Sequence, residues 1–101
     1  MKLDEFDLYI HSSIEEKLKN KKPPVTRLEV EEAFHNCDGV FIEETREDHK
    51  TKPPTYWFIS ETSDDRILKI CFIAHMDDKV IVLKTAFDAD NWEIEEYENY
   101  K

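Results

Sequence analysis

Long apolar runs are missing from this sequence. None approaches the length needed to span a bilayer, and the first ten residues, MKLDEFDLYI, carry acids where a signal peptide has a basic start and an apolar centre. We therefore expect a cytoplasmic protein that does not insert into a membrane.

Cysteine is also scarce, since only Cys37 and Cys71 are present. They form no CxxC motif and have no histidine at ligand spacing, which argues against a zinc site. No group of carboxylates has metal-ligand spacing either, so we expect neither a metal nor a cofactor. A cytoplasmic domain has no need of a disulfide, and we predict two reduced core thiols, at a helix end and in an inner strand.

Positive charge is the third shortage. The chain has 14 lysines and arginines but 24 aspartates and glutamates, for a net charge of -10. A phosphate backbone repels such a chain at long range, so RNA binding would need a local basic patch or a partner. The same charge suits solubility or binding to a basic protein.

The 101 residues are enough for one domain, residues 1–101, with a core of modest size. Two capping boxes predict helices near the N-terminus, one formed by Ser12 and Glu15 and one by Thr26 and Glu29. A further helix is expected at the C-terminus, where it would begin after Asp90.

From Val40 onward, the spacing of apolar residues changes from the helical period to the alternation typical of β-strands. Four runs rich in β-branched and aromatic residues predict strands: VFIEETRE, TYWFISET, RILKICFIAH and KVIVLKTAF. The short turns SDD and MDD predict an antiparallel meander of the last three, and the longer segment EDHKTKPP joins the first. The predicted fold class is α+β: two N-terminal helices, a four-stranded antiparallel sheet and a C-terminal helix.

The third predicted strand has apolar residues on both faces. Leu68 and Ile70 fall on one side and Lys69 with Cys71 on the other, so we expect the sheet to be covered over much of both sides. An unpaired lysine on an apolar face is costly. Lys69 should therefore either form a buried salt bridge with Glu61 or point into a cleft.

The segment TREDHKTKPPTYWFISET, with RILKICFI and KTAF after it, resembles a small bacterial family labelled ADP-ribosyl-(dinitrogen reductase) hydrolase. The layout of about residues 12–100 is also similar to BrnT, the toxin half of a type II toxin-antitoxin pair, whose fold resembles RelE-type ribonucleases. This resemblance implies a BrnT/RelE-like fold, an RNA-acting toxin-like function, and an antitoxin or other small protein as partner.

The chain departs from the BrnT pattern in two places. Phe87 follows Thr85-Ala86 where BrnT proteins usually carry an arginine. The last segment, WEIEEYENYK, is acidic where theirs tends to be basic. Both departures remove positive charge from places that a ribonuclease toxin would use for RNA.

Charged residues in and near the central loop form the candidate catalytic set. Cleavage of RNA through its 2′-hydroxyl needs a base, an acid for the leaving oxygen, and cations facing the phosphate. The chain offers these side chains as candidates for a metal-independent ribonuclease: Arg46, Glu47, His49, Glu61, Arg66 and Lys69.

Each candidate has an assigned role in this hypothesis. Either His49 or Glu47 would take the proton, the three cations would hold the phosphate, and Glu47 or Glu61 would orient them. In the structural alternative, Arg46 and Glu61 pair across adjacent strands and His49 is a solvated loop residue.

A second function follows from the charge. The acidic tail EIEEYENYK could be a docking surface for a basic partner, as in an antitoxin-like or immunity-like protein without catalysis. The tryptophans are either stacking platforms for bases or structural anchors. The apolar run around Trp57 favours the core for that residue.

Overall fold

A computed structural model describes residues 3–46, 48 and 51–101 of the chain. In these residues the helices and strands follow in this order: β1 (Asp7–Tyr9), α1 (Ser12–Lys19), α2 (Arg27–Asn36), β2 (Ile42–Glu43), β3 (Thr55–Glu61), β4 (Ile67–His75), β5 (Val80–Asp88) and α3 (Asn91–Tyr100). No helix in the described part of the chain is long and apolar enough to cross a membrane.

The strands form one mixed sheet in the order β1-β5-β4-β3-β2. Strands β2 to β5 are antiparallel neighbours, which confirms the α+β class and the predicted meander. The predicted strand number is wrong, because β1 adds a fifth strand that runs parallel to β5, with Leu8 opposite Ile81. A strand of three residues is too short to show a clear alternation in the sequence.

Strand β2 is much shorter than the run VFIEETRE suggested. In its pairing with β3, Ile42 is opposite Trp57 and Glu43 is opposite Tyr56, and the N–H of Glu44 donates one more hydrogen bond, 2.8 Å long, to the carbonyl of Thr55. The hydroxyl of Tyr97 in α3 donates a 2.7 Å hydrogen bond to the carbonyl of Val40. This carbonyl is thus bonded to the C-terminal helix rather than to β3, and the strand begins after it.

The sheet lies between two helical layers. Phe34 of α2 packs edge-on against Phe58, with ring centroids 4.9 Å apart, while Tyr97 of α3 packs on Trp57 at 5.7 Å. Trp57 and Phe58 are neighbours in β3, so their side chains point to opposite faces. The prediction that the sheet is covered on both sides is confirmed, as is the core position of Trp57, which is 5% exposed.

A β-bulge lies where β4 pairs with β5. Cys71 is opposite Thr85 and Phe72 is opposite Leu83, so Lys84 has no partner across the ladder. The extra residue puts Leu83 and Ala86, which are three positions apart and both buried, on the same face of the sheet. Simple alternation would place them on opposite faces, and the sequence run did not reveal this irregularity.

Local hydrogen bonds define the N-termini of α1 and α2. At α2 the predicted capping box is confirmed: the N–H of Glu29 donates to the Thr26 hydroxyl at 3.1 Å, and the N–H of Thr26 donates to Glu29 Oε1 at 3.0 Å. At α1 the cap is His11 rather than Ser12, since the His11 ring accepts the N–H of Ser13 at 3.1 Å. A helix N-cap needs an acceptor side chain, and a neutral imidazole supplies one.

Candidate functional site

A small cleft of about 190 Å³ lies between α3 and the segment that follows β2. Its lining is aromatic, acidic and basic at once, and includes Arg46, Trp57, Lys69, Trp92, Glu96 and Tyr100. Of the predicted catalytic set, the structure brings Arg46 and Lys69 to this one cleft. We call it the α3 cleft.

Lys69 lies at the bottom of the α3 cleft in a buried ion pair. Its Nζ is 3.1 Å from Glu93 Oε2, and the two side chains are only 8% and 7% exposed. The same ammonium lies 4.3 Å from the ring centroid of Trp57, within reach of a cation–π interaction. The expectation of a partner is confirmed, but that partner is Glu93 of α3 and not Glu61.

Glu93 connects this ion pair to the start of α3. While Oε2 accepts from Lys69, Oε1 accepts the N–H of Asp90 at 3.0 Å. One carboxylate therefore satisfies a helix-start N–H and a buried ammonium together. The position of α3 on the sheet and the neutralisation of Lys69 depend on the same side chain.

Arg46 pairs with Glu44, two residues before it in the sequence, and not with Glu61. Its Nε lies 3.1 Å from Glu44 Oε1 and its Nη2 lies 2.9 Å from Oε2, which is a bidentate geometry. Hydrogen bonding to Glu44 raises the pKa of Arg46 above its ordinary value. The Arg46 side chain stays 64% exposed, so the pair lies at the mouth of the cleft.

Arg66 lies away from the α3 cleft and joins three parts of the chain. Its Nε is 2.7 Å from Asp88 Oδ1, and its Nη1 is 3.1 Å from both carboxylate oxygens of Glu29. The guanidinium also donates to the carbonyls of Pro23 and Pro24. With a side chain only 16% exposed, Arg66 ties the start of α2 to the end of β5.

The two carboxylates around Arg66 are held in their charged form. The hydrogen bond from Arg66 lowers the pKa of Asp88. Burial alone would raise the pKa of Glu29, but hydrogen bonds from the Thr26 N–H and from Arg66 outweigh it and lower this pKa. Both shifts are consistent with a structural ion-pair network.

The remaining predicted residues are found elsewhere. Glu61 is exposed at the end of β3 and lines a different cleft of about 400 Å³ together with Asp38 and Lys101. Glu47 and His49 lie outside the described residues. The structure thus places Arg46 and Lys69 together, and it places Arg66 and Glu61 apart from them.

The cysteines agree with the prediction of free thiols. Cys37 caps the C-terminus of α2, and Cys71 lies in β4 beside Lys69 and is half-buried. Burial raises the pKa of the Cys71 thiol to about 11. A thiol in this state is a poor nucleophile near neutral pH.

Sequence reasoning missed one feature of the α3 cleft. Trp92, Glu96 and Tyr100 follow one another at four-residue spacing and therefore lie along one side of α3. Trp92 is 59% exposed and Tyr100 is 56% exposed. The spacing within NWEIEEYENY could have indicated this stripe, which we call the α3 stripe.

The described residues contain no group of three or more His, Cys, Asp or Glu side chains that could hold a metal ion. All three arginines of the chain are engaged in ion pairs, Arg27 with Glu31, Arg46 with Glu44, and Arg66 with Glu29 and Asp88.

Comparisons with protein-family models, curated proteins and solved structures found no match to this chain.

Proposed function

We propose that this chain is a non-catalytic acidic binding domain that docks on a basic protein. The proposal rests on the observation that the candidate catalytic cations already have carboxylate partners. Arg66 and Lys69 are largely buried and neutralised by carboxylates of the same chain, and Arg46 is held by Glu44. Cations that already have carboxylate partners would have to break those bonds to bind a phosphate.

The net charge of the surface is negative. The segment Asn91–Tyr100 contains four glutamates and no basic residue, and only Glu93 of these is buried. With a net charge of -10 for the whole chain, a basic partner would be attracted over a Debye length of about 10 Å at 0.1 M salt. Such complementarity mainly speeds association and selects the partner.

The competing proposal comes from the sequence resemblance: a BrnT/RelE-like fold and an RNA-acting toxin component with a cognate antitoxin. It would use Arg46, His49, Arg66 and Lys69 on RNA. The ring of Phe87, where BrnT proteins carry an arginine, lies 5.5 Å from the ammonium of Lys21. Residue 87 itself is therefore uncharged, and the positive charge beside it belongs to Lys21.

One titration separates the two proposals. The purified chain is added to two fluorescein-labelled probes, a short peptide of alternating arginine and serine and a single-stranded RNA, and anisotropy is measured at low and at moderate salt. We expect the peptide to bind with an affinity that falls with salt, and the RNA to stay free and intact on a gel. Binding or cleavage of the RNA without peptide binding would overturn the proposal in favour of the toxin.

A further inference from the structure

The α3 stripe exposes two aromatic side chains, Trp92 and Tyr100, although the ring of Tyr100 also packs edge-on against Trp57 at 6.1 Å. Tyr97, on the side of the helix that faces the sheet, is only 1% exposed, whereas Trp92 and Tyr100 are more than half exposed. Between them along the helix lies Glu96, and across the cleft lie Glu43 and Glu44, of which Glu44 already holds Arg46. Two aromatic rings with carboxylates beside and opposite them thus line one open cleft.

Two contacts within the fold show that an aromatic ring beside a carboxylate holds a cation. Lys69 lies over the ring of Trp57 at 4.3 Å while its charge is met by Glu93. Lys101 lies 4.8 Å from the ring centroid of Tyr97 while its charge is met by Asp38 and Glu98. At both lysines, an ammonium lies by an aromatic ring and is neutralised by carboxylates.

We infer that the α3 stripe binds an arginine side chain from an extended basic segment of the partner protein. This inference rests on the proposed function and adds the place and the chemistry of the contact. The guanidinium would stack on Trp92 and be neutralised by Glu96, while Tyr100 borders the same cleft.

Arginine fits this surface better than other ligands. A planar guanidinium can stack on an indole and donate to a carboxylate at the same time, whereas an ammonium is a compact, strongly hydrated charge. A nucleic-acid base could also stack on Trp92. Its phosphates would, however, lie against Glu43 and Glu96 in a chain with a net charge of -10, and Arg46 in the same cleft is already paired with Glu44.

The test uses the full chain and the arginine-serine peptide as probe. Trp92→Ala should weaken peptide binding by about fivefold or more, and Glu96→Gln by about twofold to fivefold. The matched controls are Tyr9→Ala, an exposed aromatic at the opposite edge of the sheet, and Glu95→Gln, an exposed glutamate next to Glu96. Both controls should change the affinity by less than about twofold.

Tryptophan fluorescence supplies a second readout at the same site. The chain has two tryptophans, and both line the α3 cleft, but Trp92 is exposed and Trp57 is buried, so a peptide on the stripe should change mainly the emission of Trp92. In a Trp92→Phe variant most of the emission change should be lost while binding, followed by anisotropy, persists. Circular dichroism of each variant shows whether it is folded.

The outcomes distinguish the two proposals. If the wild-type chain does not bind the peptide, both the proposed function and this inference fail. If it binds with salt sensitivity but Trp92→Ala and Glu96→Gln bind as well as their controls, only the α3 stripe is excluded as the contact. Binding that weakens in these two variants and not in the controls supports the inference.

Discussion

The buried pair of Lys69 and Glu93 permits a quantitative prediction. Its atoms are 3.1 Å apart and both side chains are less than a tenth exposed. Removing one member leaves the other as an uncompensated buried charge, which costs about 3–5 kcal/mol of folding free energy. Against a total stability of roughly 5–15 kcal/mol, this is a large fraction.

Two substitutions remove one charge each with little change of shape. Lys69→Met keeps a long apolar side chain over Trp57. Glu93→Gln keeps an oxygen that can accept the N–H of Asp90 and so separates the ion pair from the helix cap. Each variant should lose about 3 kcal/mol or more in urea denaturation, equivalent to a melting temperature at least about 12 °C lower for a domain of this size.

The double variant isolates the interaction itself. Lys69→Met with Glu93→Gln contains no buried charge at this site, so its loss should be smaller than the sum of the single losses by about 1–3 kcal/mol. The exposed Lys84 at the β-bulge supplies a control, and Lys84→Met should stay within about 0.5 kcal/mol of wild type. Additive losses, or single losses below about 1 kcal/mol, would refute the reasoning.

Three further predictions concern the network around Arg66 and the helix ends. Arg66→Ala should cost roughly 2–3 kcal/mol at pH 7. Glu29 and Asp88 have lowered pKa values, so their contribution to stability is complete above their ordinary pKa values of 4.5 and 3.8. This contribution is lost as the pH falls through the folded-state pKa values. Urea titrations at pH 7 and pH 3 should therefore show a smaller difference between Arg66→Ala and wild type in acid. Thr26→Ala should lower stability by about 1 kcal/mol, whereas Ser12→Ala should have little effect, since His11 caps α1; thermal melts of the two variants check this. Tyr97→Phe removes the hydrogen bond to Val40 and should cost about 1 kcal/mol or more in urea, while the same change at exposed Tyr100 should cost less.

For Lys69, the sequence predicted the need for a partner but not which residue that partner is. The need of Lys69 for a partner follows from one apolar strand face, and this need was predictable. Glu61 was a reasonable choice because it lies on a neighbouring strand, but the structure pairs Lys69 with Glu93, 24 positions further along the chain. Only the packing of α3 on the sheet brings these two groups together.

The partners of Arg66 were even harder to predict from the sequence. Its carboxylate partners are 37 positions before it and 22 positions after it in the sequence. No local pattern relates residues so far apart, and Arg66 was grouped with the catalytic candidates because of its charge, its expected place on the sheet and the family resemblance. The catalytic assignment stays a prediction for the whole set: Arg46, Glu47, His49, Glu61, Arg66 and Lys69.

The sequence by itself determined the elements whose signals are local. Alternation defined β3, β4 and β5, and the Thr26–Glu29 capping box marked the start of α2, because these patterns depend on neighbours within a few residues. The tertiary structure alone decided the parallel position of β1, the bulge at Lys84 and the partners of each buried charge. These features depend on which distant segments pack together, because desolvation makes a buried charge pair with whatever opposite charge the fold brings near it.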